Sequence, residues 1–317
     1  MSALVVAVDG GGSKTDVVAI TLDGDVLGRV SGPGSSPHLE GLAGSVAIID
    51  GLVRAAVGDA IPAAVGIFLS GIDLPVEEEH FRDALAGLPW SANAVVENDL
   101  FALLRAGTEE PDAIAIVCGT GINAVGVRRD GAQVRFLSMG SLSGDWGGGA
   151  GLGAEALWHA ARAVDGRGPR TALVELICAG LGVASVPALI EDLHFRRRSS
   201  SELTALAPAV FEAADAGDEV AGQLVDRQAE EIVAYVRAIV SRLGLVAVPI
   251  VLGGGILQGG RRRLLDRIAG GVAEAAPGSR LVHAQAPPVT GAALRALERA
   301  GAAPDALHRV QHALAAG

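Results

Sequence analysis

The sequence predicts an α/β protein of two lobes, because a unit of three strands occurs twice along the chain and helical segments follow each copy. In each copy an apolar run, a glycine turn and a second apolar run follow one another, and an Asp-Gly pair precedes a third run. The first copy comprises residues 3–9, Gly10–Gly12, 15–22 and Asp23-Gly24, and the second comprises 113–117, Gly119–Gly121, 123–127, Asp130-Gly131 and a run through Phe136. Such a duplication is typical of two α/β lobes that face one another across a cleft.

The length of the chain also favours two lobes. Its 317 residues exceed the roughly 100–200 residues of a typical domain. We predict a small N-terminal lobe at residues 1–108 and a large C-terminal lobe at residues 109–317, with a hinge near Gly107–Pro111 and the last helix returning to the small lobe.

The segments outside the repeats alternate between helical spacing and short apolar runs. The most regular helix covers Val220–Leu243, which carries an apolar stripe and ends at a glycine C-cap, Gly244. A strand at residues 245–252 follows, and then a mostly helical end at residues 292–317 with a break at Pro304. Before the second repeat we predict helices at 41–57 and 77–86, strands at 63–69 and around Val95-Val96, and a helix after Asn98-Asp99.

Charge and cysteine content argue against several classes of function. A net charge of -11 opposes binding to nucleic acid or to an anionic membrane, because both require a cationic face. Cys118 and Cys178 are too few for a disulfide scaffold, lack metal-ligand spacing and suit a reducing compartment. The N-terminus has no basic leader, and no 18-residue apolar stretch is free of glycine and charge, so the expected location is the cytoplasm.

The first glycine turn follows a strand directly and is suited to hold an anion. Gly10, Gly11 and Gly12 let backbone N–H groups curl around a phosphate, and Ser13 or Thr15 can add a hydroxyl. The turn is not a Walker A loop, because Ser13 and not glycine precedes Lys14 and a strand follows instead of a helix. A plain glycine hairpin is the alternative interpretation.

Two further glycine turns extend this pattern. Gly119-Thr120-Gly121 stands at the equivalent point of the second repeat, so the paired turns are predicted to clamp a polyphosphate. Gly253-Gly254-Gly255 follows a strand and offers a flat backbone surface for a nucleoside, although a turn that leads into a helix would look the same.

Asp99 is the candidate general base. It follows the Val95-Val96 strand, and strand ends are where α/β proteins place ligands. A helix N-cap is the alternative role for Asp99. Asp9 and Asp145 are similarly open, since either could bind a cation or a substrate hydroxyl or could organise a turn, and His38 lies on a loop that could touch a substrate.

The ordered set of motifs resembles the N-acetylglucosamine kinase family, within the BadF-type ATPase group of the sugar kinase, Hsp70 and actin fold. The resemblance spans nearly the whole chain. Its segments are residues 8–15, Leu69-Ser70-Gly71-Ile72-Asp73, Glu97-Asn98-Asp99, residues 118–123, Gly144-Asp145, Leu252-Gly253-Gly254-Gly255 and Pro287-Pro288-Val289-Thr290-Gly291-Ala292-Ala293.

The resemblance implies a duplicated actin-like ATPase fold around a nucleotide cleft, ATP and Mg as cofactors, an amino sugar as substrate and a homodimer. It implies that Asp99 accepts the proton of a sugar hydroxyl, the 6-OH, during transfer of the γ-phosphoryl group. The other implied roles are Mg held through water by Asp9, ATP bound by Gly10, Gly11, Gly12, Ser13, Lys14, Thr15, Gly119, Thr120, Gly121, Gly253, Gly254 and Gly255, and the sugar bound by His38, Ser70, Gly71, Asn98, Gly144 and Asp145.

One departure from the family pattern concerns the sugar. The family often carries Gly-Asp-Glu-Gly-Ser, whereas this chain reads Gly144-Asp145-Trp146-Gly147-Gly148. Trp146 therefore either stacks on a sugar or fills core space. A kinase of another hexose or hexosamine, an ATPase that activates a radical enzyme through a cysteine-bound cluster, and a non-catalytic sugar sensor are the alternative functions.

Overall fold

The computed structural model describes residues 3–315 and contains two five-stranded sheets flanked by helices. The first sheet consists of β1 (Leu4–Gly10), β2 (Lys14–Thr21), β3 (Val26–Pro33), β4 (Ala64–Leu69) and β5 (Ala94–Asn98), in the order β3-β2-β1-β4-β5. The second consists of β6 (Ala113–Cys118), β7 (Ile122–Val127), β8 (Gln133–Arg135), β9 (Pro249–Gly253) and β10 (Arg280–His283), in the order β10-β9-β6-β7-β8. Three consecutive strands that are neighbours, β1–β3 and β6–β8, thus occur in each sheet, as the internal repeat predicts.

Twelve helices follow the strand groups in the described residues. They are α1 (Pro37–Val57), α2 (Pro75–Leu85), α3 (Asp99–Gly107), α4 (Gly148–Val164), α5 (Leu173–Leu181), α6 (Val186–His194), α7 (Ala207–Asp215), α8 (Glu219–Leu243), α9 (Gly255–Gln258), α10 (Arg262–Ala275), α11 (Pro288–Arg299) and α12 (Pro304–Ala315). Five of the twelve, α4–α8, lie between β8 and β9. Short 3-10 turns occur at Gly140–Leu142 and Ser200–Leu206.

The chain forms two compact units. The first contains the residues up to Ala115, Arg135–Leu137 and the residues from Val282 onward, and the second contains Ile116–Val134 and Ser138–Leu281. The predicted lobes at 1–108 and 109–317 and the predicted hinge remain a proposal, because compactness alone does not show which segments fold or move together.

The first unit has a core of aliphatic side chains between its sheet and helices. β1 pairs antiparallel with β2 and parallel with β4, and β4 pairs parallel with β5. Val6, Val8 and Ile67 of this sheet are fully buried against α1 and α2. On the other face α11 approaches α3 so closely that a Cβ at Gly291 would lie 1.9 Å from the Ala102 carbonyl oxygen, which explains the glycine.

The second unit is organised around the long helix α8. Asp218 caps its start by accepting a hydrogen bond from the Ala221 N–H, and Gly244 ends it in the left-handed conformation with φ of 65°. Its apolar stripe, which includes Ile232, Val236 and Ile239, is buried. A Cβ at Gly126 of β7 would lie 2.1 Å from the Ile239 side chain, so this glycine lets the sheet approach the helix.

Most of the predicted elements are present, with two differences at their ends. The strand predicted at residues 245–252 begins only at Pro249, because Ala247 adopts a positive φ of 53°. The helix predicted at 41–57 starts at Pro37 and is interrupted at Gly41, where φ is 69°. The break predicted at Pro304 is confirmed, since α11 ends at Arg299 and α12 begins at Pro304, in agreement with the preference of proline for the first helical turn.

Within residues 3–315 no single helix has the length and apolar character to cross a membrane, and the bent pair of α5 and α6 passes that test only when the two are taken together.

Candidate active site

Parallel pairing in the first unit brings several polar residues to one edge of the sheet. Gly10 lies beside Leu69, and Leu69 lies beside Asn98, so the carboxyl ends of β1, β4 and β5 are in register. The Ser70 N–H donates to the Gly10 carbonyl at 2.9 Å and fixes the first two ends together. This edge is where open α/β sheets bind ligands.

Three carboxyl groups gather at this edge, and each resists ionisation. Burial raises the pKa of Asp99 to about 7, with a further contribution from Asp73. Burial, helped by Asp99 and Asp16, raises the pKa of Asp9 to about 7. Burial raises the pKa of Asp73 to about 6. Clustered carboxyl groups with shifted pKa values in a concave polar region are typical of functional sites.

Asn98, and not Asp99, caps α3. Its side-chain oxygen accepts the Leu100 N–H at 3.0 Å, while Asp99 is the first residue of the helix. The N-cap interpretation of Asp99 is therefore wrong, and the carboxylate is left for another role. The Asn98 amide donates to the Asp73 carboxylate at 2.9 Å and to the Ile72 carbonyl at 3.0 Å, which holds the segment after β4 next to β5.

Arg135 and Glu77 complete this network. The Arg135 guanidinium donates to the carbonyls of Ile72 and Asp73 and pairs with Glu78. Glu77 accepts the N–H groups of Asp73 and Leu74, each at 2.8 Å, at the start of α2. Sequence reasoning quoted Asp73 without assigning it a role and missed Arg135, because a pairing across 62 residues leaves no local pattern.

The loop after β4 presents a hydroxyl that has no partner. The Ser70 Oγ atom is buried and makes no hydrogen bond within the described part of the chain. A buried hydroxyl without a partner is unfavourable unless a ligand or water bonds it. Gly71 follows with φ of 79°, and a Cβ there would lie 2.8 Å from Ser36 Oγ and 3.0 Å from the His38 ring, so His38 stands beside this loop.

The first glycine turn is closed by its own backbone. The Gly11 N–H donates to the Lys14 carbonyl, and the Ser35 N–H donates to the Gly11 carbonyl. Two of the side chains assigned to this turn already have protein partners. Lys14 pairs with Asp16 at 2.7 Å, and the buried Thr15 hydroxyl donates to Ser35 at 2.8 Å, whereas Ser13 is exposed.

In the second unit three glycine segments pack backbone against backbone. The N–H groups of Gly149 and Ala150, at the start of α4, donate to the carbonyls of Gly119 and Thr120 at 2.7 and 2.9 Å. Gly254 has φ of 87°, and a Cβ there would lie 2.4 Å from the Cys118 carbonyl oxygen. The turn at residues 119–121 and the turn at residues 253–255 are therefore neighbours, although 130 residues of sequence separate them. Gly121 itself faces open space, since nothing lies within 4 Å of its Cβ position.

Asp145 organises the loop that precedes α4. Its carboxylate accepts hydrogen bonds from the Tyr235 hydroxyl, at 2.7 Å, and from the Ser143 hydroxyl. Its N–H donates to the Gly140 carbonyl at 2.9 Å. The neighbouring Gly144 is exposed with φ of 82° and makes room for this turn. Trp146 is half-buried, and its indole N–H donates to Glu155 at 3.2 Å.

Two further features of the described residues concern potential metal ligands and the Cys118 thiol. No group of three or more His, Cys, Asp or Glu side chains within residues 3–315 is arranged to hold a metal ion. The Cys118 thiol is buried, and burial raises its pKa to about 12, so it is an unreactive thiol.

The shifted pKa of Asp99 predicts a pH-dependent effect on stability. An acid whose pKa is raised in the folded state lowers stability as the pH rises from its unfolded value, near 4, to its folded value, about 7. Asp99→Asn should therefore raise the free energy of unfolding at pH 8, and by about 1 to 4 kcal/mol more than at pH 4.5. Urea unfolding at both pH values measures the difference. A variant that is equally or less stable than the wild type at pH 8 would contradict the shift.

Comparison with known proteins agrees with the sequence motifs. A curated N-acetyl-D-glucosamine kinase of Dictyostelium discoideum is 28% identical in an alignment of 327 positions. The alignment covers 93% of this chain and 98% of that protein. An N-acetylmuramic acid/N-acetylglucosamine kinase of Clostridium acetobutylicum is 29% identical over 261 residues, covering 80% of this chain and 85% of that protein.

Solved structures and a family model complete the comparison. A proposed N-acetylglucosamine kinase from Chromobacterium violaceum is 25% identical, with a TM-score of 0.75 and coverage of 93% of this chain and 99% of that one. A ROK family glucokinase from Streptomyces griseus, at 21% identity and a TM-score of 0.55 over 92% and 98% of the two chains, shares the fold. These likenesses confirm the predicted fold class, a duplicated actin-like ATPase. Because a model of the BadF/BadG/BcrA/BcrD ATPase family matches residues 6–296, the chain belongs to that family.

Proposed function

We propose that this protein is an ATP-dependent amino sugar kinase that transfers the γ-phosphoryl group to the 6-OH of N-acetylglucosamine. The observation that carries the proposal is the edge of the first sheet, where the Asp99 carboxyl group, the Asn98 amide and the unpartnered Ser70 hydroxyl lie together. A carboxylate beside amide and hydroxyl groups is what recognition and deprotonation of a sugar hydroxyl require. The two kinases that align with this chain support the choice of substrate.

Asp99 is the proposed general base. Its pKa of about 7 matches a working pH near neutrality, so the group is substantially ionised yet basic enough to accept a hydroxyl proton. Its place at the first residue of α3, directly after the asparagine cap, fixes the carboxylate on a rigid element. Phosphoryl transfer depends mainly on positioning and charge stabilisation, so one carboxylate and a set of backbone donors suffice.

ATP and Mg fit the residues that are present. A Cβ at Gly121 would meet no protein atom within 4 Å, which leaves room for a phosphate against the backbone of Gly119, Thr120 and Gly121. In the first unit a Cβ at Gly10 would clash with Leu69 and Ser35, whereas one at Gly11 would lie 3.4 Å from the Lys14 carbonyl oxygen, so phosphate is proposed to contact the Gly10–Gly12 turn on the side of Gly11 and the exposed Ser13. The backbone of Gly253–Gly255 is proposed for the nucleoside. Lys14 and Thr15 contribute by shaping the first turn, through Asp16 and Ser35 respectively.

Asp9 is the proposed residue for Mg, which it would hold through water. Mg²⁺ bound with a nucleotide needs only one or two carboxylates, because phosphate oxygens and waters supply the other ligands. When bound, the ion neutralises charge on the phosphates.

The residues proposed to contact the sugar occur in both units of the chain. Ser70, Gly71, Asn98 and His38 belong to the first unit, where Ser70 Oγ is available and Asn98 already orients Asp73. Gly144 and Asp145 belong to the second unit, and the Asp145 carboxylate, although it accepts two hydrogen bonds, has lone pairs left for a sugar hydroxyl. A cytoplasmic location and a homodimer complete the proposal.

Substrate preference provides the direct test. We expect N-acetylglucosamine to be phosphorylated with a kcat/KM roughly 5- to 150-fold above that of glucose, because a site that bonds the acetamido group leaves buried polar atoms unpaired when glucose binds, at about 1–3 kcal/mol each. Coupled measurement of ADP release with both sugars gives the ratio.

Three outcomes of the same assay would redirect the proposal. Equal kcat/KM for the two sugars, or a preference for glucosamine, would exclude the acetamido contact and leave a hexose or hexosamine kinase. Preference for N-acetylmuramic acid would point to the substrate named for the Clostridium relative. No ADP release with any sugar, together with iron in the purified protein, would favour the alternative of an ATPase that activates a radical enzyme.

A further inference from the structure

The second unit contains a cleft that is lined in part by two tryptophans. The cleft, called the tryptophan cleft below, has a volume of about 850 Å³ and is lined among others by Gly121, Trp146, Glu155, Trp158, His159 and Arg227. Only three tryptophans occur in the 317 residues, and two of them line this cleft. Two tryptophans in one cleft are unusual for a chain with only 3% aromatic residues.

One face of α4 builds the floor and one wall. Gly151, Ala154, Glu155 and Trp158 follow one another at helical spacing, so they share a face. The small residues keep the floor low, and the Trp158 side chain stands above it with 52% of its surface exposed. Arg162 covers one face of that indole at 4.6 Å, and His159 meets its edge.

Two charged side chains of the cleft, Arg227 and Glu155, are paired with each other, whereas the Asp145 carboxylate accepts hydrogen bonds from Tyr235 and Ser143. The Arg227 guanidinium lies 4.0 Å over the Trp146 ring and 3.5 Å from the Glu155 carboxylate, which also accepts the Trp146 N–H. Among the described residues that line the cleft, the one guanidinium is thus compensated by a carboxylate, which disfavours a phosphate or a carboxylate as the ligand. Paired polar groups around aromatic faces instead suit a neutral ligand that has an apolar face and several hydroxyls, which describes a pyranose ring.

The position and the size of the cleft point in the same direction. It begins at Gly121 of the second glycine turn and runs past Asp145, both of which the proposed function assigns to ATP or sugar. Its volume lies in the range of roughly 300–1,000 Å³ that holds ligands larger than one hexose. A ligand that extends beyond a sugar ring bound at Asp145 would therefore enter the cleft.

We infer that the tryptophan cleft is an outer subsite for a second sugar ring, so that the substrate class includes glycosidically extended amino sugars. This inference rests on the proposed kinase function. It assigns Trp158 to stacking and Glu155 and Arg227 to hydroxyl contacts, and it gives a role to Trp146, which stands where the family often has an acidic residue.

The test compares N-acetylglucosamine with its β-1,4-linked dimer, by calorimetric affinity and by ADP release. We expect the full-length enzyme to bind the dimer more tightly than the monomer. Trp158→Ala should lower the dimer-to-monomer affinity ratio roughly fivefold, and Trp158→Phe should largely retain it, because stacking needs an aromatic face. Ala154→Leu, which fills the floor of the cleft, should lower the ratio as well.

Phe195→Ala is the matched control. Phe195 is also an exposed aromatic residue of the second unit, with Arg197 at 5.1 Å over its ring and His194 at its edge, but it does not line the cleft. Its removal should leave the ratio unchanged.

The outcomes separate the inference from the proposed function. Phosphorylation of N-acetylglucosamine without any binding of the dimer, or a ratio that Trp158→Ala does not change, would overturn the subsite and leave the kinase. If the β-1,4-linked disaccharide binds in a way that depends on Trp158 but no sugar gives ADP release, the subsite is supported and the kinase is rejected. A homodimer is also proposed for the protein itself. If Trp158→Ala converts a homodimeric wild-type protein to single chains in sedimentation, the cleft is an interface between copies and the inference is overturned.

Discussion

Asp99→Asn is expected to lower kcat at least about 100-fold while the affinity for ATP changes little. General-base assistance is typically worth 10²–10⁴ in rate, and an amide at this position cannot accept the proton. The neutral side chain also matches the protonated carboxyl in shape, so Asn98 and α3 should stay in place. Steady-state ADP release and calorimetric titration with nucleotide measure the two quantities.

Asp83→Asn is a matched control for this substitution, since it makes the same chemical change at an exposed position of α2 in the same unit. It should leave kcat unchanged. If Asp99→Asn keeps more than about a tenth of wild-type turnover, Asp99 is not the base, and Asp73 becomes the next candidate because its carboxyl lies in the same cluster.

Two substitutions in the second unit are expected to separate folding from nucleotide binding. Gly148→Ala should lower the free energy of unfolding by about 2–4 kcal/mol, because φ is 68° there and a Cβ would lie 2.6 Å from the Gly121 backbone. Gly121→Val, in contrast, should leave stability within about 1 kcal/mol of the wild type, since its side chain would enter open space. The same Val side chain should weaken ATP at least about tenfold, because it occupies the surface assigned to phosphate.

Thermal unfolding and calorimetry with ATP on both variants measure these effects. Sugar affinity serves as the internal control for Gly121→Val and should change much less than nucleotide affinity. Unchanged ATP affinity in Gly121→Val would show that the second glycine turn is only a hairpin tip. A fully stable Gly148→Ala would contradict the close packing of α4 on that turn.

The order of strands and the helices that follow them could be predicted from the sequence because they depend on local patterns. Apolar runs broken by glycine define β1, β2, β6 and β7, and the helical stripe with its glycine cap defines α8. Element ends were less predictable. Residues 245–248 do not join a strand because Ala247 has a positive φ. Alanine does not favour a positive φ, so the sequence gives no sign of this conformation.

For the candidate site, too, some features could be predicted from the sequence and others could not. The sequence by itself determined which glycine turns and which carboxylate to consider, because these residue types follow strands and stand out locally, and because their order along the chain resembles a known family. Only the tertiary structure decided that Asn98 is the cap and Asp99 is left for other chemistry, that Asp73 joins the carboxyl cluster, and that Asp145 bonds Tyr235.

The physical reason is the range over which each property is set. A turn or a helix depends on residues within a few positions, so its pattern can be recognised along the chain. A pKa depends on burial and on charges that the fold brings together, as Asp9, Asp73 and Asp99 show, and a cleft depends on side chains from several elements. Trp146 could be singled out in the sequence, but its place with Trp158 and Arg227 in one cleft could be found only in three dimensions.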